Sequence, residues 1–335
     1  MARKLQFEGM KDTQSKTLFK KNLTSITGCF LFFLSSFPLH SENKKLVVGH
    51  DLWIGYSGAF VADAKGYFED AGLDVDFKQF PGPGDTLPAL ISGNLDIGLT
   101  TLHNLALASL GQKKPLTSIY LLDTSNGADA IVAKKGIKSV KDLKGKKVAA
   151  TDGEINHMML IAALDKNGMT QDDIEFVNMN ADDAGGAFVA GKLDAAVTWE
   201  PWVTKSKSAG GNVIFTSADI PDTILDSVAV TPQTMKSKKA ELEAFLAAID
   251  KGVAYLRSNQ DESAKIIGKV LDTPPADIIE MLATDKIYDL ADNKELYSSG
   301  KANLSLEKVT SFLIDKNLIK DKDGADSLLT DSFIK

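Results

Sequence analysis

The three tryptophans of the chain, Trp53, Trp199 and Trp202, each stand just after an apolar run, with Asp51 two residues before the first and Glu200 between the other two. Aromatic faces beside carboxylates suit a cation or a nitrogen-bearing ring, held by the ring quadrupole and by charge-assisted hydrogen bonds. Trp202, with Pro201 before it, also suits a packing role. Hydroxyls at Tyr56, Thr100, Thr101 and Ser125 can serve such a ligand, although Ser and Thr at these places also cap helices. The segment 151–157 is the most informative: a helix is expected to begin near Gly153, and its free N–H groups would by themselves suit an anion. Glu154, with Asp152 beside it, opposes an anion there and favours an ammonium, amidine or protonated heterocycle, while a first-turn glutamate also serves as a plain partner of the helix dipole. Glu200 and Asp226 add to the same bias or lie as solvated carboxylates.

Other chemistries find less support. His50, His103 and His157 fall at strand ends or helix starts near Asp51, Asp152 and Glu154, but their spacing matches no metal motif, and histidines so placed usually bond locally. No metal ligands, cofactor or catalytic residues are assigned. A nucleophile elbow, a Walker A loop and a GxGxxG turn are missing from the sequence. The Pro-Gly-Pro-Gly run at 81–84 has glycines, yet its prolines remove N–H donors that a phosphate cradle needs. The candidate ligand-binding set is therefore Asp51, Trp53, Tyr56, Thr100, Thr101, Ser125, Glu154, His157, Trp199, Glu200 and Asp226.

These residues fall at strand ends because short apolar or β-branched runs alternate with amphipathic stretches, the order of βαβ units around mainly parallel sheets. Strands are expected over 46–49, 75–77 and 95–99 with helices over 59–71 and 86–91; the order restarts with strands at 148–150, 174–177 and 195–198 and helices over 158–167 and 184–190. Gly93-Asn94-Leu95-Asp96 matches Gly191-Lys192-Leu193-Asp194, and Gly72 matches Gly168 before them. Two α/β lobes built alike follow, with the strand-end segments lining one cleft. Beyond Pro232 the pattern turns helical: Leu242, Phe245, Leu246, Ile249, Val253 and Leu256 recur on one face of a helix over 238–257. Further helices are expected over 262–270, 275–282 and 306–315, with 293–304 a polar surface loop. The expected organisation is 1–41 as a signal peptide, 42–128 with 232–335 as lobe 1 and its C-terminal helices, and 129–231 as lobe 2, the chain crossing near 129–133 and 226–231.

With 335 residues, 44% hydrophobic and 25% charged, the composition is that of a soluble globular protein large enough for two cores. A formal charge of −7 without a basic patch argues against nucleic acid as a partner. The single cysteine, Cys29, excludes an intramolecular disulfide, a Cys-based zinc site and an iron–sulfur cluster. Residues 1–41 run from basic, through an apolar stretch centred on 30–34, to small residues, the order of an export signal cut near Ser41. Lipidation at Cys29 is the less favoured alternative, since most of the apolar run follows the cysteine.

Between residues 46 and 256 the chain resembles the periplasmic solute-binding proteins of nitrate/sulfonate/taurine ABC importers, a group that includes thiamine-pyrimidine binders. The resemblance rests on Asp51-Leu52-Trp53-Ile54-Gly55-Tyr56, Gly66-Tyr67-Phe68-Glu69-Asp70-Ala71-Gly72, Leu95-Asp96-Ile97-Gly98, residues 125–133, residues 139–146, and Thr198-Trp199-Glu200-Pro201-Trp202. It implies a type II periplasmic-binding-protein fold, two α/β lobes around a ligand cleft, and a small-molecule ligand handed to an ABC permease in the inner membrane; the duplicated lobes point to a monomer, and the order of residues 11–41 to export to the periplasm. It also implies Trp53, Thr101, Glu154, Trp199 and Glu200 at the ligand. One departure from the family is an acidic cleft where nitrate and sulfonate binders offer hydroxyls or a basic residue. Two other readings on this fold remain as alternatives, a metal-ion carrier and a thiamine-pyrimidine-synthase-like enzyme. The enzyme's cysteine-rich iron motif is missing here.

Overall fold

The computed structural model describes residues 44–334, so the signal expected in 1–41 and Cys29 within it lie outside the described residues. From the start of that range the chain lays down β1 (Lys44–His50), β2 (Leu73–Gln79), β3 (Ile97–Thr101) and β4 (Thr117–Ser125). It then forms β5 (Asp129–Ala133), β6 (Lys147–Ala150), β7 (Glu175–Asn178), β8 (Ala195–Trp199) and β9 (Asn212–Thr216), and returns as β10 (Leu225–Val230) and β11 (Asp285–Ile287). Two sheets result, a larger one in the order β11-β4-β10-β3-β1-β2 and a smaller one in the order β7-β6-β8-β5-β9.

Each sheet has a parallel heart, β1 between β2 and β3 in one and β6 between β7 and β8 in the other. The strands that enter from the opposite lobe, β5 and β10, run antiparallel to their neighbours. The expectation of mainly parallel sheets is corrected to that extent, for a chain arriving from the cleft must run away from it. The crossings also differ from expectation. Residues 129–133 and 226–231 were read as connections, but 129–133 is β5 and all but the last residue of 226–231 lie in β10 of the larger sheet. The chain crosses at 126–128 and returns over 217–224. The two passages are tied together by Ser125 Oγ and Ser217 Oγ at 2.7 Å, Gly127 N–H to Ser217 Oγ at 2.7 Å, and Ser125 N–H to the Ile224 carbonyl at 3.0 Å.

Helices cover both faces of each sheet, as apolar faces on two sides require. The apolar stripe read from Leu242 to Leu256 is buried on the helix Lys239–Ser258, where Phe245 stacks on Phe68 at 5.1 Å. Gly252 on that helix meets the helix Ser57–Ala64 so closely that a Cβ would come within 2.1 Å of the Gly58 carbonyl oxygen, and only glycine permits the crossing. The expected loop over 293–304 is instead the helix Leu290–Ser298 followed by the start of the helix Lys301–Asp315. Its polarity misled for a physical reason: Asn293 is fully buried, accepting from the Leu121 N–H and donating to the Leu121 carbonyl, both at 2.8 Å, and so completes the hydrogen bonding of β4. Asp289 and Asp292 form the reciprocal cap that starts this helix.

Candidate functional site

Strand register assembles the site. In the larger sheet Asp226 of β10 lies opposite Thr101 of β3 on one side and Asp123 of β4 on the other, so three polar side chains share one row at the cleft end. In the smaller sheet Asp129 of β5 lies opposite Trp199 of β8. The segment after β1 adds Asp51 and Trp53. Between the lobes these groups enclose a narrow cavity lined by Asp51, Trp53, Pro83, Thr101, Asp129, Ile155, Trp199, Ile224 and Asp226. It adjoins a wider cavity of about 210 Å³ lined by Pro83, Gly84, Asp85, Thr151, Glu154, Asn180 and Trp199 among others.

The supports of these side chains are built into the fold. Tyr56 O–H donates to Asp226 Oδ1 at 2.8 Å, Trp53 Nε1 donates to Asp123 Oδ2 at 3.3 Å, and Trp199 Nε1 donates to Asp182 Oδ1 at 3.0 Å. Gly55 is required beside the first indole, since a Cβ there would lie 2.0 Å from Asp123 Oδ2 and 2.4 Å from Trp53 Nε1. Gly55→Ala is accordingly expected to displace both side chains and to destabilise the protein by about 1–3 kcal/mol, measurable by urea unfolding.

The cleft is electrostatically one-sided. Asp51, Asp123, Asp129, Asp226 and Asp285 are all buried, and Asp51 Oδ1, Asp129 Oδ2 and both carboxylate oxygens of Asp285 accept no hydrogen bond. Burial, and then mutual repulsion, push Asp51, Asp123 and Asp285 well above the usual carboxylate range. Asp129 and Asp226 are pushed up to about 7, chiefly by burial, against the opposing hydrogen bonds from Ser125 and Tyr56. Burial also raises Glu154, with the Asp85 charge adding to it. Among the described residues no lysine or arginine lines either cavity. The only arginine after residue 41, Arg257, is engaged with Asp289 and Asp292.

The residues singled out in the sequence are distributed as follows. Asp51, Trp53, Thr101, Trp199 and Asp226 line the narrow cavity and Glu154 the wider one. Tyr56 stands behind Asp226, and Thr100 is fully buried with its hydroxyl on the Pro83 carbonyl at 2.7 Å, fixing the loop that forms the neck between the two cavities. Ser125 belongs to the crossing, where its Oγ also accepts from the Asp129 N–H at 3.1 Å. His157 is turned away: its Nδ1 accepts from the Gly153 N–H at 3.0 Å and its Nε2 meets Gln171 Oε1 at 2.7 Å. Glu200, expected beside the tryptophans at the ligand, accepts instead from the Thr204 N–H and hydroxyl, both at 2.9 Å, capping the helix Trp202–Ser208. Sequence reasoning placed Asp123 in a strand-end segment without assigning it to the site and did not single out Asp129, Asp285 or Asn104; the signal available for Asp129 was an aspartate at the start of an otherwise apolar strand.

A hydrogen bond also joins the lobes across the cleft. His103 Nε2 donates to the Gly153 carbonyl across the cleft at 2.7 Å. Burial holds this imidazole down at about 4, despite that bond, so it is neutral at physiological pH and keeps its proton on Nε2. Among the described residues no group of three or more His, Cys, Asp or Glu is disposed to hold a metal ion.

Two sheets, each faced by helices, with a cleft at the strand ends between two crossings, define a periplasmic-binding-protein fold. The periplasmic aliphatic sulphonate binding protein SsuA from Escherichia coli superposes with a TM-score of 0.72 at 22% identity, covering 86% of this chain and 92% of that one. The NMT1/THI5 like family model matches residues 53–263, and the chain belongs to that family. A Brucella abortus (strain 2308) protein described only as a binding protein is 28% identical over 310 residues, 90% of this chain and 95% of its own length. The taurine-binding periplasmic protein of Escherichia coli (strain K12) is 26% identical over 271 residues, covering 78% of this chain and 84% of the relative.

Proposed function

We propose that this protein is the solute-binding component of an ABC importer, exported to the periplasm, and that its cleft captures a small cationic or zwitterionic nitrogen compound for delivery to a membrane permease. The observation that carries the reading is the narrow cavity, where Asp51, Asp129 and Asp226 face Trp53 and Trp199 with no basic side chain. Buried unpaired carboxylates are costly, and a cation relieves that cost while a pure anion adds to it. At the start of the helix Ile155–Lys166 the His157 N–H is taken by Asn156 Oδ1, and just before the helix the Thr151 and Gly153 N–H groups are taken by Asn156 Oδ1 and His157 Nδ1. Similarity along most of their length to proteins named for binding supports capture rather than turnover. The metal-carrier alternative lacks a convergent donor group among the described residues.

A thermal-shift screen followed by calorimetry tests this, with amines, guanidinium compounds, aminopyrimidines, alkylsulfonates and nitrate as the panel. A cation at a hundred times its dissociation constant should stabilise the protein by about 2.7 kcal/mol. Tight sulfonate or nitrate binding that ignores Asp226→Asn would overturn the charge reading. Lobe closure around the solute gives a second check, because the His103 contact forms only when the lobes meet. His103→Ala should weaken binding about two- to tenfold by calorimetry, the worth of one neutral hydrogen bond; unchanged affinity would remove His103 from the closing contacts.

A further inference from the structure

The two cavities differ in size and join end to end. The aspartate-lined space leaves about 20 Å³, room for one group the size of a water molecule. A primary ammonium fits such a space, whereas a planar guanidinium or a ring does not. Past a neck formed by Pro83, Ile155 and Trp199 the wider cavity of about 210 Å³ can take the body of a small molecule. Its far side is acidic as well. Glu154 lies there with Asp85, and Asn104 stands behind the lining Gly84, where a Cβ would sit 2.6 Å from Asn104 Nδ2 and 3.1 Å from Glu154 Oε1; the Asn104 amide opposes the rise that burial imposes on the Glu154 carboxyl.

A single positive charge in the narrow space would leave the carboxylates of Glu154 and Asp85 without a counter-charge at the other end. Acidic groups at both ends of an apolar neck match a molecule that is cationic at both ends and aliphatic between.

We propose that the solute is a short aliphatic diamine, with one primary ammonium among Asp51, Asp129 and Asp226, methylenes through the Pro83–Ile155–Trp199 neck, and the second ammonium at Glu154 and Asp85. The proposal rests on the cationic-solute reading above and adds the second charge.

Calorimetry on the purified protein with α,ω-diamines of three to six carbons, the matching n-alkylamines and ethanesulfonate tests both levels separately. The expected result is an optimum in diamine length that binds at least about tenfold tighter than the alkylamine of equal length, and a Glu154→Gln variant in which that advantage is lost. A melting curve of Glu154→Gln that overlays the parent's shows the variant folded; the chain-length series on the parent decides the matter even if it does not. Diamines and alkylamines binding equally well would overturn the second subsite and leave the cationic reading standing. Failure of every diamine to bind would overturn the diamine, and binding of ethanesulfonate alone would overturn both.

Discussion

Asp226→Asn should remove cation binding and, in the same variant, make the ligand-free protein more stable. Asp226 is buried in the row between Thr101 and Asp123, within reach of Asp129 and Asp285, and one of its oxygens accepts from Tyr56 at 2.8 Å. An asparagine oxygen can accept that same hydrogen bond, so the packing of Tyr56 survives. What disappears is the charge. For a bound cation the loss of a buried ionic partner costs about 2–5 kcal/mol, which is roughly thirty- to several-thousand-fold in affinity. Without ligand the sign reverses, because a carboxylate raised from 3.8 to about 7 on folding disfavours the folded state at pH 8, where the unfolded chain carries it ionised at its ordinary value, and the amide has nothing to ionise. A gain of about 1–3 kcal/mol at that pH is expected, less than the full shift implies since neighbouring aspartates relax as well. Urea unfolding and calorimetry on one preparation measure both quantities. Lost binding with lowered stability would mean that Asp226 is structural, and retained binding would exclude it from the site.

This opposition between stability and affinity also explains what was legible in the sequence. Lobes, strand ends and the positions of Trp53, Thr101 and Trp199 follow from local periodicity and from the rule that ligands sit at the carboxyl ends of strands. Residue types alone could not distinguish Glu200 from Asp129. Glu200 stands in an aromatic setting yet spends both oxygens on Thr204, four residues ahead in the helix that follows it. Asp129 looks like the polar start of a plain strand and reaches the cleft through its antiparallel pairing with Trp199, seventy residues away. Asp226 and Asp123 meet across a pairing of about a hundred residues' separation, interrupted by a shift in register. Register between distant strands is set by the whole sheet, and local composition carries little of it. Asn293 teaches the same lesson in reverse, for a polar residue in a polar stretch proved to be a buried partner of β4.

The affinity for a cation should rise steeply with pH between 5 and 7 while the stability of the ligand-free protein falls between 5 and 8. Asp129 and Asp226 have folded values near 7 against an ordinary 3.8, and Asp51, Asp123 and Asp285 are also raised. The facing titratable groups reinforce this: Glu200 and Asp182 add negative charge, and Tyr56 stays protonated because burial and the surrounding carboxylates push its phenol up. Groups raised on folding contribute stability that is present below the unfolded value and is lost as pH rises through the folded one. His103, held at about 4 against an ordinary 6.5, works the other way, its contribution being present above 6.5 and lost as pH falls toward 4. Burial lowers His50 as well, and these two histidines oppose five raised aspartates, so the net slope is set by the carboxylates. The lowered surface carboxylates, such as Asp142 and Asp194, have finished titrating below this range. A bound cation requires the ionised form, and below pH 7 each proton expelled costs about tenfold in affinity per pH unit. For one proton the dissociation constant should therefore improve about a hundredfold from pH 5 to pH 7 and level off above. Calorimetry in buffers of different ionisation enthalpy should show proton release near pH 6, and the ligand-induced rise in melting temperature should be larger at pH 8 than at pH 5. An affinity flat from pH 5 to 8, or one that falls with rising pH, would mean that the aspartates do not carry the ligand's charge.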